Sequence, residues 1–153
     1  MIQLKTIECA EINREQLVAF KQYASVPDDT RDALLKILLH TAMKQVQKSA
    51  DKSLLPGTFE VTCSERDTND AVRMYQTVSE VLSVTDGNGA ALDYTRNGAY
   101  VQPNKFTDTV IIRYRTAPVL PDADALLPVA LQYATALYDG ESTDTLSSIL
   151  AQC

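Results

Sequence analysis

Apolar positions recur every three or four residues in some stretches of this chain and every second residue in others. From Arg14 to Ala24, Leu17, Val18, Phe20 and Ala24 share one side of a helix, and Asn13 stands where a side-chain cap belongs. Ser25-Val26-Pro27 ends that pattern, because Pro27 disfavours helical backbone at the residue before it. A longer helix is predicted over Thr30–Ser49. Thr30 is its possible cap, and Asp32 lies near the positive end of the helix dipole. Leu34, Leu35, Leu38, Leu39, Ala42, Met43 and Val46 form its broad apolar stripe.

Beyond the turn signal Leu55-Pro56-Gly57, the spacing changes to two. Thr58–Cys63 reads as a strand with Phe59, Val61 and Cys63 on one face, and Glu65–Asp70 reads as a polar loop. Val78–Thr85 is rich in β-branched residues. It runs into Asp86-Gly87-Asn88-Gly89, whose residues tolerate the positive φ that tight hairpins need. Strands around Ala91–Thr95 and Ala99–Val101 flank a second turn at Arg96-Asn97-Gly98, and Thr109–Thr116 closes the series. The expectation is an antiparallel meander.

A final helix then runs from Asp122 or Asp124 to Asp139, with Pro128 in its first turn, where a missing N–H is harmless. Leu127, Leu131, Ala134, Leu137 and Tyr138 make its packing face, and Gly140 is a natural stop. Leu146, Ile149 and Leu150 give the remaining segment a short apolar pattern. The predicted fold class is α+β, mainly helical: a small helical scaffold, a central antiparallel meander of hairpins and a C-terminal helix. Residues 1–141 are read as one domain, and 142–153 as a tail able to dock on a partner.

The chain of 153 residues is long enough to bury roughly two-thirds of its unfolded surface in one domain. Its start has no apolar run after the first charge, and no stretch approaches the roughly 18 apolar residues of a membrane span. A chain neither exported nor membrane-embedded is expected. Net charge is −6, unevenly spread. Past Arg115 there is no Lys or Arg, only Asp122, Asp124, Asp139, Glu141 and Asp144. Tight DNA binding needs cations to neutralise phosphates, so this end is a poor candidate for it.

Catalytic patterns are missing. There is no Walker loop, dinucleotide fingerprint, nucleophile elbow or H-E-x-x-H. Asp86-Gly87-Asn88-Gly89 lacks the ligand ladder and closing Glu of a calcium loop. Cys9, Cys63 and Cys153 are far apart and His40 is the only histidine, which fits reduced thiols and no zinc site. Asp28, Asp29 and Asp32 are acids expected near a helix start. Arg113 and Arg115, two apart on a strand, face one way and form a small basic stripe. A solvent face, a salt bridge between subunits and an RNA contact all fit that stripe. Neither a cofactor nor a metal is expected, and the chain is read as no enzyme.

The order of these elements resembles the tailed-bacteriophage head–tail connector proteins, also called head-completion or adaptor proteins. The likeness spans about Glu11 to Ser142. Arg14–Ala24, the loop through Asp28-Asp29 and Thr30–Ser49 look like the family's two N-terminal helices. Val81–Thr85 with Asp86-Gly87-Asn88-Gly89, and later Val110–Tyr114, look like its central hairpins. Leu120-Pro121, Ala130 and Leu137-Tyr138-Asp139 resemble its final helix. The chain departs from the pattern in the polar stretch Ser64–Gln76, and in Gly140-Glu141 where the family commonly has Arg-Glu.

The resemblance implies a structural virion protein of the neck, present in the host cytoplasm during assembly. Such a protein forms a ring of about a dozen copies that joins the portal to the tail or to the next neck protein. DNA passes through its channel without specific binding. Leu146, Ile149 and Leu150 are then candidate partner-docking residues, and Arg113 and Arg115 candidate intersubunit residues. The alternative is a cytosolic α+β interaction module, an adaptor or assembly chaperone without catalytic activity.

Overall fold

The structure is a computed structural model that describes residues 1–119 and 122–140. Its contacts divide the chain into two compact units. A sheet unit takes Met1–Cys9 and Pro56–Ala117, and a helical unit takes Ala10–Leu55 with the described residues from Pro118 on. The described residues hold three helices and two antiparallel sheets. The α+β class therefore holds, but the expected helical majority does not, because strands that the sequence pattern hid add to the sheet content.

Seven strands are described in the sheet unit: β1 (Ile2–Cys9), β2 (Gly57–Cys63), β3 (Val72–Arg73), β4 (Val78–Thr85), β5 (Tyr94–Asn97), β6 (Tyr100–Pro103) and β7 (Val110–Thr116). They form two antiparallel sheets, one in the order β1-β2-β7-β4 and one in the order β3-β6-β5. The expected meander is corrected here: β4 pairs with β7, across the intervening hairpin. The turn at Asp86–Gly89 does reverse the chain, yet only one isolated bridge, Thr85↔Ala91, follows it. The chain then crosses to the second sheet. There β5 and β6 flank a two-residue loop opened by Gly98 at φ +61°, a value the mirror-image hairpin turns require.

β7 explains the pairing. Val110, Ile112, Tyr114 and Thr116 are buried while Arg113 and Arg115 between them are exposed, so β7 has one largely apolar face to cover. Phe59 and Val61 of β2 and Val84 of β4 lie on that same side. Val72, Met74, Leu92 and Val101 complete the core cluster. The Phe59 and Tyr114 rings stack with centroids 6.0 Å apart, and the Tyr114 hydroxyl accepts the Tyr75 N–H at 3.1 Å. Val72 and Met74 sit past the predicted loop Glu65–Asp70, within the polar stretch Ser64–Gln76, and the short strand β3 forms there around two buried apolar residues.

The helical unit holds α1 (Arg14–Ala24), α2 (Asp32–Ala50) and α3 (Asp122–Asp139). Asn13 caps α1 as expected: its side chain accepts the Gln16 N–H at 2.8 Å, and Gln16 returns the bond to the Asn13 N–H at 2.9 Å. α2 starts at Asp32, later than predicted. Thr30 is engaged in the preceding loop, where its N–H and hydroxyl both donate to Asp28, so it cannot cap. Leu35, Leu39, Ala42, Met43 and Val46 are buried, but Leu34 is 46% exposed, having turned about 100° from Leu35.

Gln47 is a polar exception on the buried face. Its side-chain oxygen accepts the N–H groups of Leu54 at 2.7 Å and Leu55 at 2.6 Å, closing the turn after α2. In α3, buried Ala130 and Ala134 lie one turn apart and permit close helix approach. Pro128 lies in the second turn of α3, not the first, because the helix already begins at Asp122. One backbone hydrogen bond is thereby forgone. Gly140, at φ +71°, ends the helix with its N–H on the Leu137 carbonyl.

Candidate assembly surfaces

Four surfaces carry the residues singled out by sequence or left uncovered by the fold. The first is the outer face of the four-stranded sheet. Strand register aligns Lys5, Glu60 and Arg113 across β1, β2 and β7, and sets Arg115 beside Glu80 of β4. Arg113 lies 2.9 Å from Glu60 and Arg115 3.3 Å from Glu80, each pair bridging adjacent strands. These are surface pairs, worth about 0–1 kcal/mol each. Both arginine side chains remain about half exposed, and the face alternates in sign.

The second is β1, the free edge of that sheet. Alternation along Ile2-Gln3-Leu4-Lys5-Thr6 puts Ile2 and Leu4 on the core side, opposite Cys63 and Val61. Nevertheless they are 56% and 46% exposed, because the core cluster ends at β2. At the other edge, β4 carries two bulges, at Ser79 and Leu82, which bend it and blunt it against further pairing.

The third is the loop joining α1 to α2. Lys21 reaches Asp29 and Asp32, and those hydrogen bonds hold its ammonium above the ordinary lysine value of 10.5. The hydroxyl and N–H of Thr30 hold the Asp28 carboxyl below its ordinary 3.8. A shallow apolar cleft of about 420 Å³ opens beside it, lined by Val18, Lys21, Gln22, Ser25, Val26 and Pro27. The three aspartates thus tie down a loop. From the same loop, the Arg31 guanidinium covers the Tyr138 ring at 5.9 Å and donates to its hydroxyl at 2.6 Å.

The fourth is the outer side of α2, where Leu34 and Ile37 lie exposed, Ile37 by 64%. Sequence reading placed Leu34 in the core stripe and passed over Ile37 and all of β1. Ile37 becomes conspicuous only once the buried side of α2 is known. The period-two start Ile2-Gln3-Leu4-Lys5 was the available signal for β1. Leu146, Ile149, Leu150 and Cys153 lie outside the described residues. His40 is half-buried on α2, and Cys9 and Cys63 are half-buried as well. Among the described residues, no three His, Cys, Asp or Glu side chains gather as metal ligands would. No described helix is long and apolar enough to cross a membrane.

No protein-family model matches the sequence, and no curated protein does. Solved structures do match in fold. A chain from the neck of an empty gene transfer agent (GTA) particle, computed with C6 symmetry, superposes with a TM-score of 0.61 at 17% identity. The match covers 86% of this chain and 83% of that one. This chain has the fold of a GTA neck chain. A chain from the virion of the native gene transfer agent particle gives 0.59 at 16% identity over 98% and 94% of the two chains. Another, from the native GTA neck computed with C12 symmetry, gives 0.56 at 17% identity over 94% and 93%. Both the sheet unit and the helical unit are therefore shared, since coverage at this level leaves room to omit neither.

Proposed function

We propose that this chain is a non-catalytic structural protein of a phage-like virion neck. It forms a ring of about a dozen copies that joins the portal to the tail or to the next neck protein. The observation that carries this reading is the fold shared with GTA neck chains over most of both partners. The C6 and C12 symmetry of those necks supports a ring, and the order of helices and strands independently resembles head–tail connectors.

The surfaces fit such a role. A ring needs two different faces of one subunit to meet, a heterologous contact. Arg113 and Arg115 stay candidate intersubunit residues, since each remains half exposed within an alternating row of charge that a neighbour could extend. Leu146, Ile149 and Leu150 are the candidate portal-docking residues. With net charge −6 per copy, a ring accumulates negative charge, so a DNA channel lined by it offers few cations to hold passing phosphate.

Removal of the gene from a producing strain tests the role. The expected result is normal heads and normal free tails that fail to join, seen by electron microscopy of the lysate. Joined, infectious or transfer-competent particles in undiminished numbers contradict it.

A further inference from the structure

The helical unit presents two uncovered stripes that match each other. On α2 the stripe is Leu34, Ile37, Thr41, Lys44 and Lys48, all exposed. On α3 it is Ala125, Pro128, Gln132, Thr135 and Asp139, exposed at Ala125, Pro128 and Asp139 and half-buried at the other two. Both follow the same spacing of three and four residues over two heptads, the spacing of a helix–helix seam. α2 and α3 pack on each other through their buried sides, so the two stripes point away from one another on opposite sides of one helix pair.

Their chemistry is complementary. The α2 stripe offers two projecting apolar side chains followed by two cations. The α3 stripe is small and uncharged from Ala125 to Thr135, and the Thr135 hydroxyl is already satisfied by the Leu131 carbonyl at 2.8 Å. That hydroxyl therefore asks no hydrogen bond of a partner. α3 carries aspartates at both ends, Asp122, Asp124 and Asp139, and no Lys or Arg. With the two helices parallel, Lys44 and Lys48 come to the Asp139 end of the α3 stripe. By contrast, Asp32 at the start of α2 is committed to Lys21.

We infer that the outer stripe of α2 in one copy packs against the outer stripe of α3 in a second copy of this chain. This deepens the ring reading and rests on it. Two unlike faces on opposite sides of one helix pair make a contact that repeats from copy to copy, as ring closure needs. Ile37 is its apolar anchor, seated over the flat Ala125–Pro128 surface.

Blocking each face separately tests this. Ile37→Asp spoils the α2 face alone, and Pro128→Arg the α3 face alone. Both positions are exposed, and Pro128→Arg restores a helical N–H, so both proteins should melt no lower than wild type. Mass photometry is run where wild type assembles, alone or on the portal protein of the same particle. Each variant should require about 30-fold more protein to assemble, the scale of losing an interface anchor. An equimolar mixture should stop at dimers, because each variant keeps the face that the other lacks. A control, Leu82→Asp on β4, should assemble like wild type. Unchanged assembly of folded Ile37→Asp and Pro128→Arg overturns the interface while leaving the ring. Wild type that stays monomeric both alone and with portal overturns the ring itself.

Discussion

Tyr114→Ala should lower the stability of the sheet unit by about 3–5 kcal/mol, read as a fall in urea midpoint by circular dichroism. Among the described residues Tyr114 is the largest fully buried side chain, and it belongs to the core cluster. Its ring stacks on Phe59, and its hydroxyl is the acceptor that satisfies the Tyr75 N–H beyond β3. Truncation leaves a cavity that rigid strand pairing on both sides of β7 prevents from closing. Tyr114→Phe separates the two contributions. It keeps the ring and removes only the hydroxyl, so a loss of about 1–3 kcal/mol is expected. If Tyr114→Ala cost no more than Tyr114→Phe, the packing account of β7 would be wrong.

Gln47→Leu should destabilise the helical unit by about 2–5 kcal/mol although it makes the core more apolar. Gln47 is 2% exposed and its side-chain oxygen accepts two N–H groups, from Leu54 and Leu55, which are themselves buried. Leucine keeps the volume and abolishes the acceptor, leaving two donors without a partner at about 1–3 kcal/mol each. The turn after α2 is where the chain leaves the helical unit for Pro56, so the loss also loosens that exit. Hydrogen exchange at Leu54 and Leu55 checks the cause, since both amides should lose protection. A stable Gln47→Leu variant with both amides still protected would contradict it.

How much of this was legible in the sequence depended on whether the signal was local. α1 was read residue for residue, because Asn13 and Gln16 form a cap that involves only neighbours. β4 was likewise read at both ends, its β-branched run being bounded by an Asp-Gly turn. α2 started late because Asp28 captured the Thr30 hydroxyl, a competition between two local hydrogen bonds that spacing alone cannot rank. The meander failed for a non-local reason. The partner of β4 is chosen by the apolar face of β7, more than twenty residues further on in the chain, and no turn residue reports that.

The candidate surfaces divide in the same way. The shared facing of Arg113 and Arg115 followed from alternation, but their acids, Glu60 and Glu80, come from two other strands and needed the sheet order to be found. Leu34 and Ile37 look like ordinary members of a leucine-rich helix until the side buried by Leu35, Leu39 and Val46 is known. The α3 stripe carries no sequence signal beyond the absence of charge from Ala125 to Thr135.

The central claim, a ring that sits on a portal, is tested most directly by the mass of the chain bound to the portal protein of the same particle. Native mass spectrometry should give one portal ring carrying about a dozen copies of this chain, with few intermediates because each added copy meets a neighbour. A portal that binds no copy, or a complex of one copy per isolated portal subunit with no ring, would contradict the account.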